Sequence, residues 1–191
     1  MAVSVGRLAR AEQLAFWINS YNALTLSVVL DHYPVASIRD IDISPGLFAR
    51  GPWDKRLFTV EGHPLALNEI EHRILRPIWN DPLIHYALNC AAVGCPNLRP
   101  EAFTAANAPR QQDAGARDYI NDLRGVRIVN GRLRVSSIYD WFQEDFGGGE
   151  GTVLAHLSRY AETAVASTLA GAGSIAGYDY DWSLNDARNA A

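Results

Sequence analysis

The stretch "AEQLAFWINSYNALTLSVVLDHYP", residues 11 to 34, decides how the rest of this chain is read. It is apolar on nearly every side and runs up to Pro34, the pattern of a helix buried in the middle of a domain rather than lying on its surface. Its few polar residues therefore carry information. Asn19 and Asn22 stand three positions apart on one face, so their amides need partners inside the protein, and tying the helix to nearby loops is the simplest role for them.

Downstream of this helix, residues 38 to 56 are punctuated by Pro and Gly with little periodicity, which predicts a long irregular connection. "LFTVEGHPLAL" reads as two short strands around Glu61-Gly62. Asn68, with Glu71 three positions on, fits a capping box opening a helix that Pro77 should stop. In "NDPLIHYALNC", residues 80 to 90, Asp81-Pro82 suits a helix start, but alternation across Ile84, Tyr86 and Leu88 favours an extended segment ending at the cysteine. A helix is expected around residues 114 to 125, and then a hairpin, "VRIVNGRLRVS", with Asn130-Gly131 suited to a type I′ turn. Ser136 or Ser137 can cap "IYDWFQEDF". "EGTVLAHLSRYAETAVASTLAG", residues 150 to 171, reads as one long helix. The tail "YDYDWSLNDARNAA" carries three aromatics among acids, so its first half should dock on the body and its last residues fray. Helices and hairpins in this order predict a single α+β domain, with helices packed on a small antiparallel sheet.

The chain has 191 residues, 48% of them hydrophobic, enough for one domain with a real core. Its formal charge of −4, without a basic run, offers no footprint for nucleic acid or an anionic bilayer. No stretch is long and apolar enough to span a membrane, and no signal peptide is evident at the N-terminus. The sequence enters an apolar segment after about a dozen residues, as a chain shorn of an upstream address would. A soluble protein is expected, cytoplasmic or exported.

Both cysteines lie in "ALNCAAVGCP", residues 87 to 96. Two thiols cannot staple a domain of this size, so their meaning is local. Cys90 and Cys95 can fill a core, close a small strained disulfide, share a zinc ion with His85 or His72, or supply a nucleophile. A second cysteine pair is lacking, which weighs against zinc.

The blocks "FWINSYNALTLSVVL", "LALNEIEHRILR", "DPLIHYALNCAAVGCPNLRP" and "VSSIYDWFQEDFG", in this order over residues 11 to 146, resemble the domain of unknown function 547 family, found in bacteria and fused to leucine-zipper segments in plants. The ending "YDYDWSLND" is similar to the family's C-terminal closure. The family's recurring polar positions fall here on Asn22, Glu71, His72, Cys90, Pro96 and Arg99. Plant-type members keep a thiol at the position of Cys90 and have serine at that of Cys95, which singles out Cys90. The family itself resembles papain-like or transglutaminase-like cysteine hydrolases.

That resemblance implies a cysteine peptidase or amidase without cofactor or metal. Cys90 would attack an amide of a small peptide or peptide-like molecule, such as the thiol peptide glutathione, and form a thioester. His72 is the expected base, its imidazolium lowering the thiol pKa, while His85 packs locally. Glu71 has two readings, helix cap or orienter of His72, the second hindered because adjacent helical residues point about 100° apart. Asn22 would hold an oxyanion or the imidazole. Arg99 would clamp a substrate carboxylate, unless it forms a surface ion pair. The rival from another class is a non-catalytic scaffold for protein contacts.

Overall fold

Arg10–His32 forms helix α1 in a computed structural model that describes residues 3–46 and 50–187. Its first turn is secured by Glu12, which accepts from the Ala9 N–H at 2.8 Å and so satisfies a donor that the helix leaves open. Trp17, Ile18, Tyr21, Asn22, Val28 and Val29 are buried. The opposite face is not: Leu30 is 72% exposed and Leu26 is 40% exposed. The expectation of burial on every side is therefore corrected, because the elements packed on α1 cover only one side of it.

Both asparagines of that buried face dock onto peptide groups. Asn19 donates to Phe103 O at 2.8 Å and accepts from Phe103 N at 2.9 Å. Asn22 donates to Ala87 O and accepts from Asn89 N, both at 2.9 Å. Each amide acts as a detached peptide unit, joining the helix to a loop.

Strands β1 (Arg56–Val60) and β2 (His63–Ala66) form the expected antiparallel hairpin, and helix α2 (Leu67–Glu69) follows at once. The start differs from the sequence expectation. Glu69 accepts from Ala66 N at 3.0 Å, whereas Asn68 reaches out to Asp54 Oδ1 at 2.7 Å, so Glu71 is no cap. A π-helical turn, Ile70–Leu75, comes next, with Arg76 N–H bonded to Glu71 O. Helix α3 (Arg76–Trp79) carries Pro77 near its start, where a missing N–H is tolerated, and Pro77 therefore does not end the helical run. Asn80, in the left-handed region, closes it.

Residues Pro82–Tyr86 are a 3-10 helix, not an extended segment. Asp81 accepts from Leu83 N at 2.9 Å, and this local cap prevails over the alternating pattern. Helix α4 (Ala108–Ile120) starts earlier than expected. Strands β3 (Val126–Val129) and β4 (Arg132–Ser136) form the second hairpin, turning through Asn130 and Gly131 at φ 51° and 74°. Helix α5 (Ile138–Trp141) and a 3-10 turn, Gln143–Phe146, come after it.

The expected helix over 150–171 is two helices, α6 (Glu150–Tyr160) and α7 (Thr163–Gly171). Asn121 explains the break: its side chain donates to Tyr160 O at 3.0 Å and accepts from Glu162 N at 2.7 Å, replacing the helical bonds lost between them. The tail then docks as β5 (Gly177–Asp179), parallel to β4. Residues 188–191, the expected frayed end, lie outside the described residues.

The fold is α+β, with its strands in two sheets of two and three. Three apolar clusters build the core, and one segment threads them all: Tyr86 belongs to the first, Ala87 and Leu88 to the second, Ala91 to the third. Cys90 sits where they meet. Among the described residues no helix is long and apolar enough to cross a membrane.

Candidate active site

Asn89 shapes the turn that carries Cys90. Its Oδ1 accepts from Ala91 N at 2.9 Å and its Nδ2 donates to Pro96 O at 2.8 Å. Ala91 is held at φ 62°, a left-handed conformation that costs a side-chain-bearing residue about 1 kcal/mol or more. The docked tail braces this turn from outside. Val93 and Gly94 donate to Ser183 O and Asp181 O, and Asn185 N donates to Ala91 O, each at 2.8 Å. Gly94 is required here, since a Cβ would stand 2.8 Å from Asp181 N. The same contact delivers Tyr180, whose hydroxyl lies 3.0 Å from Cys90 Sγ.

The two thiols are unequal. The Cys90 thiol is pulled below its ordinary value, first by a hydrogen bond from Cys95, then by those from Tyr180 and Ala92 N–H, against opposition from burial and from Glu71. Burial pushes the Cys95 thiol up, so the proton of the pair stays there. Cys95 Sγ also accepts from Cys90 N at 3.0 Å, which fixes its place beneath the nucleophile. No helix starts at Cys90, so hydrogen bonds alone supply the stabilisation.

Cys90 opens into a cleft of about 220 Å³ walled by Trp53, Trp141, Phe142, Tyr180 and Trp182, with Tyr21, Asn68, Glu71, His72 and His85 also on its surface. That volume admits a side chain or a small group rather than a whole peptide, ligand pockets usually measuring about 300–1,000 Å³. The rings support one another: Trp141 stacks on Trp182 with centroids 5.6 Å apart, and Trp53 meets Trp182 edge-on at 5.7 Å. A larger groove, about 640 Å³, lies between the β3–β4 turn and the end of α7, but among the described residues no cysteine, histidine or carboxylate lines it, and its hydroxyls, Ser167, Thr168 and Ser174, have no base beside them there.

The imidazole bound to a carboxylate is that of His85. Its Nε2 lies 2.7 Å from Asp145 Oδ2, and its ring is buried and stacked on Phe142 at 4.2 Å. A carboxylate only accepts, so Nε2 carries the proton and neutral His85 has Nδ1 bare. Burial pushes the Asp145 carboxyl up, but hydrogen bonds from His85 and Arg76 outweigh it and hold the group well below the usual carboxylate range. Arg76 binds the same carboxylate through Nε at 2.6 Å and Nη2 at 3.1 Å, tying α3 to the Gln143–Phe146 turn.

Glu71 and His72, both in the π-helical turn, line the cleft. They do not pair with each other there. His72 Nδ1 lies 3.1 Å from Arg76 Nη1, and because a guanidinium only donates, that nitrogen must accept. Glu71 instead faces the buried Tyr21 hydroxyl, whose pKa is pushed up first by burial and then by the Glu71 charge. Among the described residues no imidazole is hydrogen-bonded to Cys90 Sγ.

Two sequence expectations are corrected. Asn22 has both ends of its amide bound to the backbone of residues 87 and 89 and does not line the cleft, so it holds the segment leading to Cys90 rather than an oxyanion. Arg99 is paired with Asp118 and does not line the cleft, which leaves it no role as a clamp on substrate. Asp145, Tyr180 and the tryptophans were missed, although the aromatic, acid-rich tail was expected to dock. Among the described residues no three His, Cys, Asp or Glu side chains are grouped so as to hold a metal ion.

One family model, described as "Protein of unknown function, DUF547", matches residues 5–120, more than half of the sequence. The chain belongs to the DUF547 family. The DUF547 match takes in α1, the π-helical turn and the Cys90 loop, and it ends before Asp145, Trp141, Tyr180 and Trp182. The curated proteins and the solved structures contain no match to the chain.

Proposed function

We propose that the protein is a cysteine-dependent hydrolase of an amide bond, with Cys90 as nucleophile and His85, oriented by Asp145, as the acid and base. The observation that carries this reading is the shared cleft: a thiol with a lowered pKa and a carboxylate-bound imidazole open onto one aromatic pocket. Cys95, Tyr180 and the Ala92 N–H favour the thiolate, and Asp145 holds the His85 ring through Nε2.

In this scheme the Cys90 thiolate adds to the substrate carbonyl carbon. The resulting oxyanion collapses, the C–N bond breaks, and the amine leaves with the proton of the His85 imidazolium. Water, losing its proton to the neutral imidazole, then attacks the thioester to release the carboxylic acid and restore the thiolate. His72 stands at the mouth of this chemistry on the guanidinium of Arg76, a place suited to contacting substrate rather than to moving the proton.

The test is labelling with a peptide vinyl sulfone, a warhead that needs both a thiolate and an adjacent proton donor. Labelling should map to Cys90 alone, vanish in Cys90→Ala, and slow at least tenfold in His85→Gln while His72→Gln stays close to the parent. Labelling indifferent to His85→Gln, or no labelling at Cys90, would support a non-catalytic scaffold instead.

A further inference from the structure

Glu71 is a buried carboxylate without a cation. It is 8% exposed, lines the Cys90 cleft, and forms no salt bridge among the described residues. The neutral Tyr21 hydroxyl stands beside it. Acidic side chains are almost never this buried unless paired, because desolvation of an isolated carboxylate is expensive. The nearby Arg76 acts on it only through its field and forms no ion pair with it, since its guanidinium is bound in two places to Asp145. Among the described residues no lysine or arginine lines the cleft.

The walls around this carboxylate suit a cation as well. Trp53, Trp141, Trp182 and Tyr180 line the cleft, and an ammonium over an aromatic face is attracted by the ring quadrupole. Trp182 already carries the Arg39 guanidinium 5.2 Å from its centroid, on a side outside the cleft lining. A carboxylate-bearing substrate would meet the Glu71 carboxylate without the clamp expected of Arg99, which is bound to Asp118.

We infer that the cleft selects substrates bearing a cationic ammonium group on an apolar chain, with Glu71 as its counter-ion and the tryptophans as its walls. This names the substrate class of the site proposed above and rests on that reading only for the reaction that follows binding. It is opposite in charge to an acidic peptide such as glutathione.

Hexylammonium and hexanoate share one chain and differ in the sign of the head group, so they isolate the selection. Intrinsic fluorescence of the cleft tryptophans is titrated with each at neutral pH and low salt. Hexylammonium should bind at least fivefold more tightly than hexanoate in the parent, and the preference should fall below twofold in Glu71→Gln. Should that variant not fold, Trp141→Leu, at a half-exposed position, should weaken hexylammonium at least threefold. Equal or reversed preference, no binding of either ion, or a preference that survives Glu71→Gln would overturn the inference. Slow alkylation of Cys90 with the ammonium preference intact would overturn the hydrolase alone, and fast alkylation without the preference would overturn this inference alone.

Discussion

His85 and Asp145, sixty positions apart in sequence, meet at 2.7 Å through Nε2 and Oδ2. That contact joins a 3-10 turn five residues before the nucleophile to another that lies beyond the second hairpin. It also fixes which imidazole nitrogen is free. If this dyad drives turnover, Asp145→Asn should cut kcat by more than tenfold with little change in KM, because an amide can bond His85 but cannot stabilise its cation. Steady-state kinetics on any accepted substrate decides this.

The thiol pKa should depend on groups other than histidine. Cys95 is the leading cause of the lowered Cys90 value, followed by Tyr180. Cys95→Ala and Tyr180→Phe should each move the alkylation midpoint of Cys90 to higher pH and slow alkylation at pH 7 several-fold, since less thiolate is present. His72→Ala should leave that midpoint in place. The measurement is alkylation rate against pH, read by mass at Cys90.

Acid should weaken the fold in two separate windows. His156, whose Nε2 lies 2.9 Å from the Tyr86 hydroxyl, titrates down at about 4, chiefly through burial and then through Arg159 and His85. An unfolded histidine titrates near about 6.5, so between these values the unfolded chain binds a proton that the folded chain refuses. Stability therefore falls as pH drops from about 6.5 to about 4, and His156→Gln should flatten that slope. Asp145, held below the usual carboxylate range, adds stability above about 3.9 that is lost at still lower pH. Urea unfolding at a series of pH values separates the two.

Asn22→Leu removes an amide bound to two buried backbone groups. Leaving Ala87 O and Asn89 N without partners should cost about 2 kcal/mol or more. In a chain of this size that lowers Tm by roughly 4 °C or more. Thermal denaturation reads the loss. Cys90 alkylation should slow in the same variant, because the segment before it is no longer anchored.

The sequence by itself determined the elements whose signals are local: the long helix from its apolar run, both hairpins from Glu61-Gly62 and Asn130-Gly131, the α+β class, and the docking of an aromatic tail. It also marked Cys90, Glu71 and His72 as chemistry-bearing side chains, but gave His85 only a local packing role. The errors lay where two local signals competed or where a distant residue intervened. Asp81 capped a turn that alternation read as a strand, and Asn121 split a helix that no nearby residue would break.

Only the tertiary structure decided which side chains share the site. Glu71 and His72 line one cleft and His72 meets Arg76, while a contact across sixty positions gave a carboxylate to His85. The tail, pinned by Gly94, carried Tyr180 to the sulfur of Cys90. Local propensity follows from the backbone and its nearest neighbours, so it can be read along the chain. Hydrogen-bond partners and counter-ions depend on distances that exist only once the apolar clusters have packed.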